Sequence, residues 1–318
     1  MYSVRSKVLV TGANGFLGSS LCTTLQQTDY EVIEVVRRSP KKNQFSIGEL
    51  SGFTGPISAL HGCDVVVHCA ARVHVLREES LNPLDAFSVV NVHGTLNLAH
   101  QAVDAGVRRF VYVSSVGVNG AETFSSAFRE VDIPAPHSPY ALSKYEAEIS
   151  LRELASKTGL DFVIIRPPLI YGPSAPGNFG SLIQWLSCGV PLPLGAIDNR
   201  RSYVSLDNLI DLILTCIRHP AAANQTFLVS DGEDLSTTDL LRRMGQALGR
   251  PARLLPVSTA LLKFGAAMVG KPELAQRLCG NLQIDVSKAR QLLGWTPPLS
   301  VDEGLKKTAE GYLREASL

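Results

Sequence analysis

The chain has 318 residues, 45% hydrophobic and 19% charged, with a formal net charge of +1. That is enough apolar material for one large domain, or for a core with a smaller lobe. The basic clusters, Arg37-Arg38 and Lys41-Lys42, are too short to support nucleic-acid binding.

Taken in order, the chain opens on Met1–Ser6, which is polar, leads straight into a strand and does not read as a signal peptide. Val8, Leu9 and Val10 form an apolar, β-branched run that ends at Thr11. Glycines then recur at 12, 15 and 18, and Phe16, Leu17 and Leu21 begin a helical spacing. Strand, tight Gly turn and helix N-terminus in this order make a phosphate cradle. Gly12 lets the chain turn, Gly15 lets a pyrophosphate approach the backbone, and Gly18 lets the helix pack closely.

Tyr30–Val36 is the second expected strand, ending in Arg37-Arg38. A carboxylate at this end would bind ribose hydroxyls and favour NAD, whereas arginine pairs with a 2′-phosphate. With no Asp or Glu at 36–38, the reading favours NADP(H), with NAD(H) the alternative. Phe45–Leu50 is a short third strand that brings Glu49 and Leu50 beside an adenine. Asp64–Cys69 is a continuous apolar run suited to a buried parallel strand, followed by Ala70, Ala71 and Arg72. His74 is a candidate sugar contact or a loop histidine without a role.

Asp85–Ala105 has helical spacing, with Asn91 in its midst. A buried Asn there must find partners. Arg109–Ser114 is the fifth strand and delivers Ser114-Ser115 to the same edge of the sheet.

Tyr140 and Lys144 are four residues apart and so share a helix face. A phenol is a poor acid or base near neutrality. A nearby ammonium and an oxidised nicotinamide both favour the phenolate and are expected to lower its pKa. Ser115 can hold a substrate oxygen with a second hydrogen bond. The set can move a proton on an oxygen while hydride moves at its carbon.

Asp161–Arg166 is the sixth strand. From 170 to 200 the chain is rich in Pro and Gly and begins a second lobe, with a return to the main sheet expected around 202–230. Ser236-Thr-Thr-Asp239 looks like a capping box for a helix to Ala247. Leu254–Gly270 is expected to be an amphipathic helix of the second lobe, too short to span a bilayer. The last helix is Val301–Glu315. The cysteines at 22, 63, 69, 188, 216 and 279 show no CxxC pair and read as reduced core residues of a cytoplasmic protein. No metal-ligand cluster stands out among the seven histidines.

At these residues the chain resembles the extended short-chain dehydrogenases/reductases, in particular the nucleotide-sugar epimerases, dehydratases and reductases. The resemblance rests on Thr11–Gly18, Ser114-Ser115, Tyr140 with Lys144, Arg166–Pro173, Arg201–Val204, and Asp285 to Trp295. Ala71–Val75, Pro167–Pro173 and Pro191–Gly195 are closest to a UDP-glucose 4-epimerase-like subgroup of bacterial polysaccharide loci. That subgroup includes reductases of UDP-4-keto-6-deoxy-N-acetylhexosamines. The resemblance implies a Rossmann-type α/β fold, a doubly wound parallel sheet, over 1–169. It places a smaller α/β substrate lobe at 170–318.

It also implies the site. Ser115, Tyr140 and Lys144 would be catalytic. Cofactor contacts would come from Gly12, Asn14, Gly15, Phe16, Leu17 and Gly18 in the turn and from Arg37, Arg38, Glu49 and Leu50 at the adenosine. Ala70, Ala71, Arg72, Asn91, Val113, Ser114, Tyr140, Lys144 and Pro167 would join them, with Asn91 near the nicotinamide ribose. Arg201, Asn178 and Arg277 would hold the diphosphate of a UDP-sugar, beside His74 and Ser115. Helices at 85–105 and 140–157 would pair with their copies in a homodimer, and neither nucleic acid nor membrane insertion is expected.

Three chemistries compete on such a scaffold. Dehydratases of this type carry an Asp-Glu pair after the active-site Ser/Thr, but here Val116 and Gly117 follow Ser115. Dehydration is set aside. A 4-keto reductase is put slightly ahead of a 4-epimerase, on the missing acid at the second strand end. A non-catalytic dinucleotide sensor is the reading from another class, against which both Tyr140 and Lys144 are present.

Overall fold

Seven strands form one parallel sheet in the order β3-β2-β1-β4-β5-β6-β9. They are β1 (Lys7–Thr11), β2 (Glu31–Val36), β3 (Gln44–Ser46), β4 (Val65–His68), β5 (Arg109–Val113), β6 (Asp161–Arg166) and β9 (Gln225–Leu228). The computed structural model describes residues 6–41, 44–48, 58–73 and 83–316. Glu49, Leu50 and His74 lie outside the described residues.

Strand alternation supplies two cores. Val8 and Val10 face a layer made by α1 (Phe16–Gln26), α6 (Leu206–Arg218) and α10 (Ser287–Leu293). Leu9 faces a layer that includes α3 (Gly94–Asp104) and α4 (Pro139–Thr158). Burial on both faces explains why these strands read as continuous apolar runs. The strand order reverses direction between β1 and β4, so their C-terminal ends leave a crevice, the usual ligand position in such sheets.

A three-stranded sheet, β10-β8-β7, carries the second lobe. Its strands are β7 (Leu169–Tyr171), β8 (Arg201–Ser205) and β10 (Asp234–Leu235). A separate core there joins α5 (Gly177–Ser187), α7 (Thr237–Ala247) and α11 (Val301–Ala316). Ser236 caps α7 as expected, accepting from the Asp239 N–H at 2.9 Å.

The return to the main sheet needs correction. Residues 201–205 pair with β7 and β10, so the return begins with α6 and ends with β9. Val204 still reaches the main core while Tyr203 faces the lobe core, which makes β8 the seam between them. Ala289, Leu293 and Trp295 also pack on the main core rather than on the lobe. Cys188 is exposed, not a core residue.

The helix expected over 85–105 is interrupted. It runs as α2 (Pro83–Ser88), a π turn at Val89–His93, and α3. Between the second lobe's α8 (Thr259–Met268) and α9 (Pro272–Cys279) the chain makes a short turn, and the two helices pack on each other. No helix among the described residues is long and apolar enough to cross a membrane.

Candidate functional site

The Gly turn has the geometry that its spacing implies. Gly12 sits at φ +70°, and a Cβ there would meet Ala70 N at 2.9 Å. A Cβ on Gly18 would lie 2.2 Å from the Gly12 carbonyl oxygen, so only glycine lets α1 start this close to the turn. Gly15 is the N-cap of α1, and no side chain caps that end. An uncapped helix N-terminus over a Cβ-free turn fits the diphosphate of a dinucleotide. Leu17 is buried in the main core, so only its backbone can face a phosphate. Asn14 Oδ1 accepts from Gln44 Nε2 at 3.1 Å, which ties the turn to β3. A cleft of about 880 Å³ touches Asn14, Gly15 and Phe16 at one edge but is otherwise lined by α1, residues 173–176, α6 and α11.

A hydrogen-bond chain crosses the sheet from this turn to α4. The Ala70 N–H donates to Thr11 Oγ1, which lies 2.6 Å from His68 Nδ1. His68 Nε2 lies 3.0 Å from Thr95 Oγ1, which donates to the Asn91 carbonyl. Since Thr95 spends its proton on that carbonyl, Nε2 of His68 donates and Nδ1 accepts. Burial pushes the His68 pKa down to about 3, so the ring is neutral. This histidine was missed in the sequence reading. Its only signal there was a polar residue inside an otherwise apolar buried strand.

Asn91 continues this network through its side chain. It is buried, and its amide accepts from Arg72 N and donates to Arg72 O and Ser143 Oγ, at 2.8, 3.0 and 3.0 Å. The π turn aims that amide inward and fixes the Ala70–Arg72 strand end against α4. Ser143 in turn donates to the Tyr140 carbonyl at 2.8 Å.

Ser138 caps α4, with Pro139 in its first turn. Helix geometry then puts Tyr140, Lys144 and Glu148 on one stripe. Lys144 is buried, donates from Nζ to Val113 O at 2.8 Å, and stands 4.5 Å over the Tyr112 ring. Burial brings its pKa down to about 8. Tyr140 meets Phe87 edge-on at 6.1 Å. Burial pushes its phenol up to about 12, opposite to the direction expected from a neighbouring ammonium. Ser115, half-exposed at the end of β5, accepts from Gly117 N at 3.1 Å. A protonated phenol, a buried ammonium and a half-exposed serine hydroxyl at one end of the sheet can together hold and protonate a substrate oxygen.

Ser114 is turned away from that edge. Its hydroxyl donates to Glu148 Oε1 at 2.6 Å. Glu148 also receives Arg166 Nε and Nη2, at 2.9 and 2.6 Å, and Arg166 Nη1 donates to Asn119 Oδ1 at 3.0 Å. The pair is buried below the ends of β5 and β6. The stripe Tyr140–Lys144–Glu148 was the signal for Glu148 that the sequence reading did not use. Pro167 closes β6, its carbonyl accepting from Val116 N at 3.0 Å.

On the lobe side, Arg201 and Arg277 come within electrostatic reach of each other, with Glu122 facing Arg201. Burial, with Arg277 adding to it, lowers the Arg201 pKa from its ordinary value. Arg201 Nη1 donates to the Gly280 carbonyl at 2.8 Å, which holds the guanidinium in place. Two cations gathered from residues 76 apart suit a diphosphate. Asn178 lies in the first turn of α5, and its side chain is not among those described. At the end of β2, Arg37 and Arg38 are exposed, with no carboxylate at 36–38.

The sequence profile of the NAD dependent epimerase/dehydratase family matches residues 8–230. A Vibrio cholerae protein named UDP-glucose 4-epimerase is 44% identical over 313 residues, covering 96% of this chain and 95% of that one. The solved UDP-glucose 4-epimerase of Thermotoga maritima, with UDP-glucose, is 25% identical with a TM-score of 0.77, covering 98% and 100% of the two chains. A dTDP-glucose 4,6-dehydratase from Streptomyces venezuelae, solved with NAD, is 27% identical with a TM-score of 0.78, covering 98% of each chain. The chain thus belongs to the NAD-dependent epimerase/dehydratase family of extended short-chain dehydrogenases/reductases, enzymes that use a nicotinamide dinucleotide.

Proposed function

We propose that the protein is a UDP-sugar 4-epimerase, working on UDP-glucose or UDP-N-acetylglucosamine. The observation that carries this reading is the Ser115, Tyr140 and Lys144 set, followed by Val116 and Gly117 where elimination would need acids. Such a set serves hydride movement at C4 and nothing at C5. The identity to the Vibrio cholerae protein supports the epimerase over its neighbours.

Ser115 would hold O4, and Tyr140 would exchange a proton with it. Lys144 would keep a positive charge near the phenolate. The nicotinamide, when bound, would supply the place where hydride is stored. Gly12, Gly15 and Gly18 would seat the cofactor diphosphate, and Arg201 and Arg277 that of the sugar nucleotide. The protein would work as a homodimer through α2–α3 and α4.

A 4-keto reductase is the second reading. Arg37 and Arg38, without a carboxylate beside them, suit a 2′-phosphate, hence NADP(H) and reduction of a UDP-4-keto-6-deoxy-N-acetylhexosamine. One experiment separates the two. The purified protein is given UDP-glucose or UDP-N-acetylglucosamine, and C4 inversion is followed by NMR. In parallel, NADPH absorbance is followed with the 4-keto sugar. Inversion without added reductant is expected; stoichiometric NADPH oxidation with no inversion would replace the epimerase by the reductase.

Arg201→Ala is expected to raise KM for the sugar nucleotide by about 10- to 100-fold, the worth of a charge-assisted hydrogen bond, with kcat less affected. Steady-state kinetics on a variant that melts like wild type checks this. An unchanged KM would remove Arg201 from the diphosphate site.

A further inference from the structure

The helix α8 is exposed on the side where a helix of a globular protein should be polar. None of its residues is fully buried. Leu262 turns toward the lobe core. On the outward side stand Leu261, Phe264 and Met268, at 60%, 64% and 73% exposure, with Val269 just beyond at 69%. Ala260, Gly265 and Ala267 fill the spaces between them, so that face carries no polar side chain. Leu255 before the helix and Leu274 on α9 are exposed as well. The sequence reading took this segment as amphipathic. The structure shows an apolar face turned outward. Contiguous exposed apolar surface of this kind marks an interaction site.

Charge says what covers it. From 250 to 280 the chain has Arg250, Arg253, Lys263, Lys271 and Arg277 against the single acid Glu273, in a chain of net charge +1. All five cations are exposed; Lys263 stands on α8 and Lys271 caps α9 after the turn, while Arg277 lies within electrostatic reach of Arg201. A two-fold contact between copies through α8 would bring an excess of like charge together, Lys263 and Lys271 with their copies, which is unfavourable. An anionic bilayer offers both complements, negative headgroups for Lys263, Lys271 and the neighbouring cations and an acyl boundary for Leu261, Phe264 and Met268. We propose that α8 and the turn after it seat the protein on an anionic lipid surface, lying in the interface without spanning it.

The test is co-sedimentation of the full chain with vesicles of phosphatidylcholine alone, and with phosphatidylglycerol added. Binding to the anionic vesicles is expected, weakened by salt and absent with phosphatidylcholine alone. The double variant Leu261→Ser/Phe264→Ser should lower the partition about tenfold or more, from the apolar area lost. Lys263→Glu/Lys271→Glu should lower it through charge alone. Circular dichroism and melting identical to wild type would show that both variants fold. Failure of the wild type to bind anionic vesicles, or equal binding by the folded variants, would overturn the proposal. So would a fall in mass by light scattering for Leu261→Ser/Phe264→Ser, which would make α8 a contact between copies.

Discussion

Tyr140→Phe is expected to lower kcat by about a hundred- to ten-thousand-fold, the usual worth of a positioned acid or base, while cofactor affinity stays at the wild-type value. The substitution removes one oxygen and keeps the ring. The edge contact with Phe87 survives. Lys144 also stays where it is, because Val113 O and the Tyr112 ring hold it. The loss should therefore fall on kcat and leave KM nearly unmoved. Steady-state kinetics with a separate titration of the dinucleotide would check it. Turnover at the wild-type level would remove Tyr140 from the chemistry and favour a sensor on the same fold.

The electrostatics sharpen this expectation. Burial holds Tyr140 at about 12 and Lys144 at about 8. The phenol therefore keeps its proton at neutral pH and is ready to act as an acid. To act as a base it needs added positive charge beside it. An epimerase needs both roles in one turnover, whereas a reductase needs only the acid. The two readings of the site thus place different demands on the same residue.

The phosphate turn could be read from sequence because each glycine answers a local steric need, as Gly12 and Gly18 show. Tyr140 and Lys144 could be read because helix spacing alone puts them on one face. The π turn could not, since the helical apolar spacing continues on both sides of it. It is held by contacts from Asn91 to Arg72 and Ser143, 19 and 52 residues away, which no local pattern encodes. The seam at β8 was hidden for a similar reason. Tyr203 and Val204 are both apolar and buried, yet they serve different cores. Ser114 and Ser115 were equivalent in sequence, and only Glu148 distinguishes them, by drawing the first hydroxyl inward. For α8, the composition was plain but the direction of its face was not.

Glu148→Ala is expected to cost about 3–5 kcal/mol of stability, because it leaves Arg166 buried and uncompensated. The side chains of Arg166 and Glu148 are 4% and 1% exposed. Water cannot replace the lost carboxylate, and Ser114 loses its acceptor too. Glu148→Gln should cost less, since one oxygen can still accept. Arg166→Met alone should also be costly, for it leaves the buried carboxylate with only Ser114 and, 3.9 Å away, the more exposed Arg152. The double variant Glu148→Met/Arg166→Met should be more stable than either charge-stranding single, because it buries no lone charge. Urea midpoints of wild type, Glu148→Met, Arg166→Met and the double variant test this as a cycle, and strictly additive losses would show that the pair is not coupled. Coupling would bear on activity as well. Glu148 sits one helical turn beyond Lys144, and Arg166 ends the strand before Pro167, so this pair sets α4 against the ends of β5 and β6. The double variant should then recover stability without fully recovering kcat, since apolar side chains fill the space but fix neither Ser114 nor the angle of the helix that carries Tyr140.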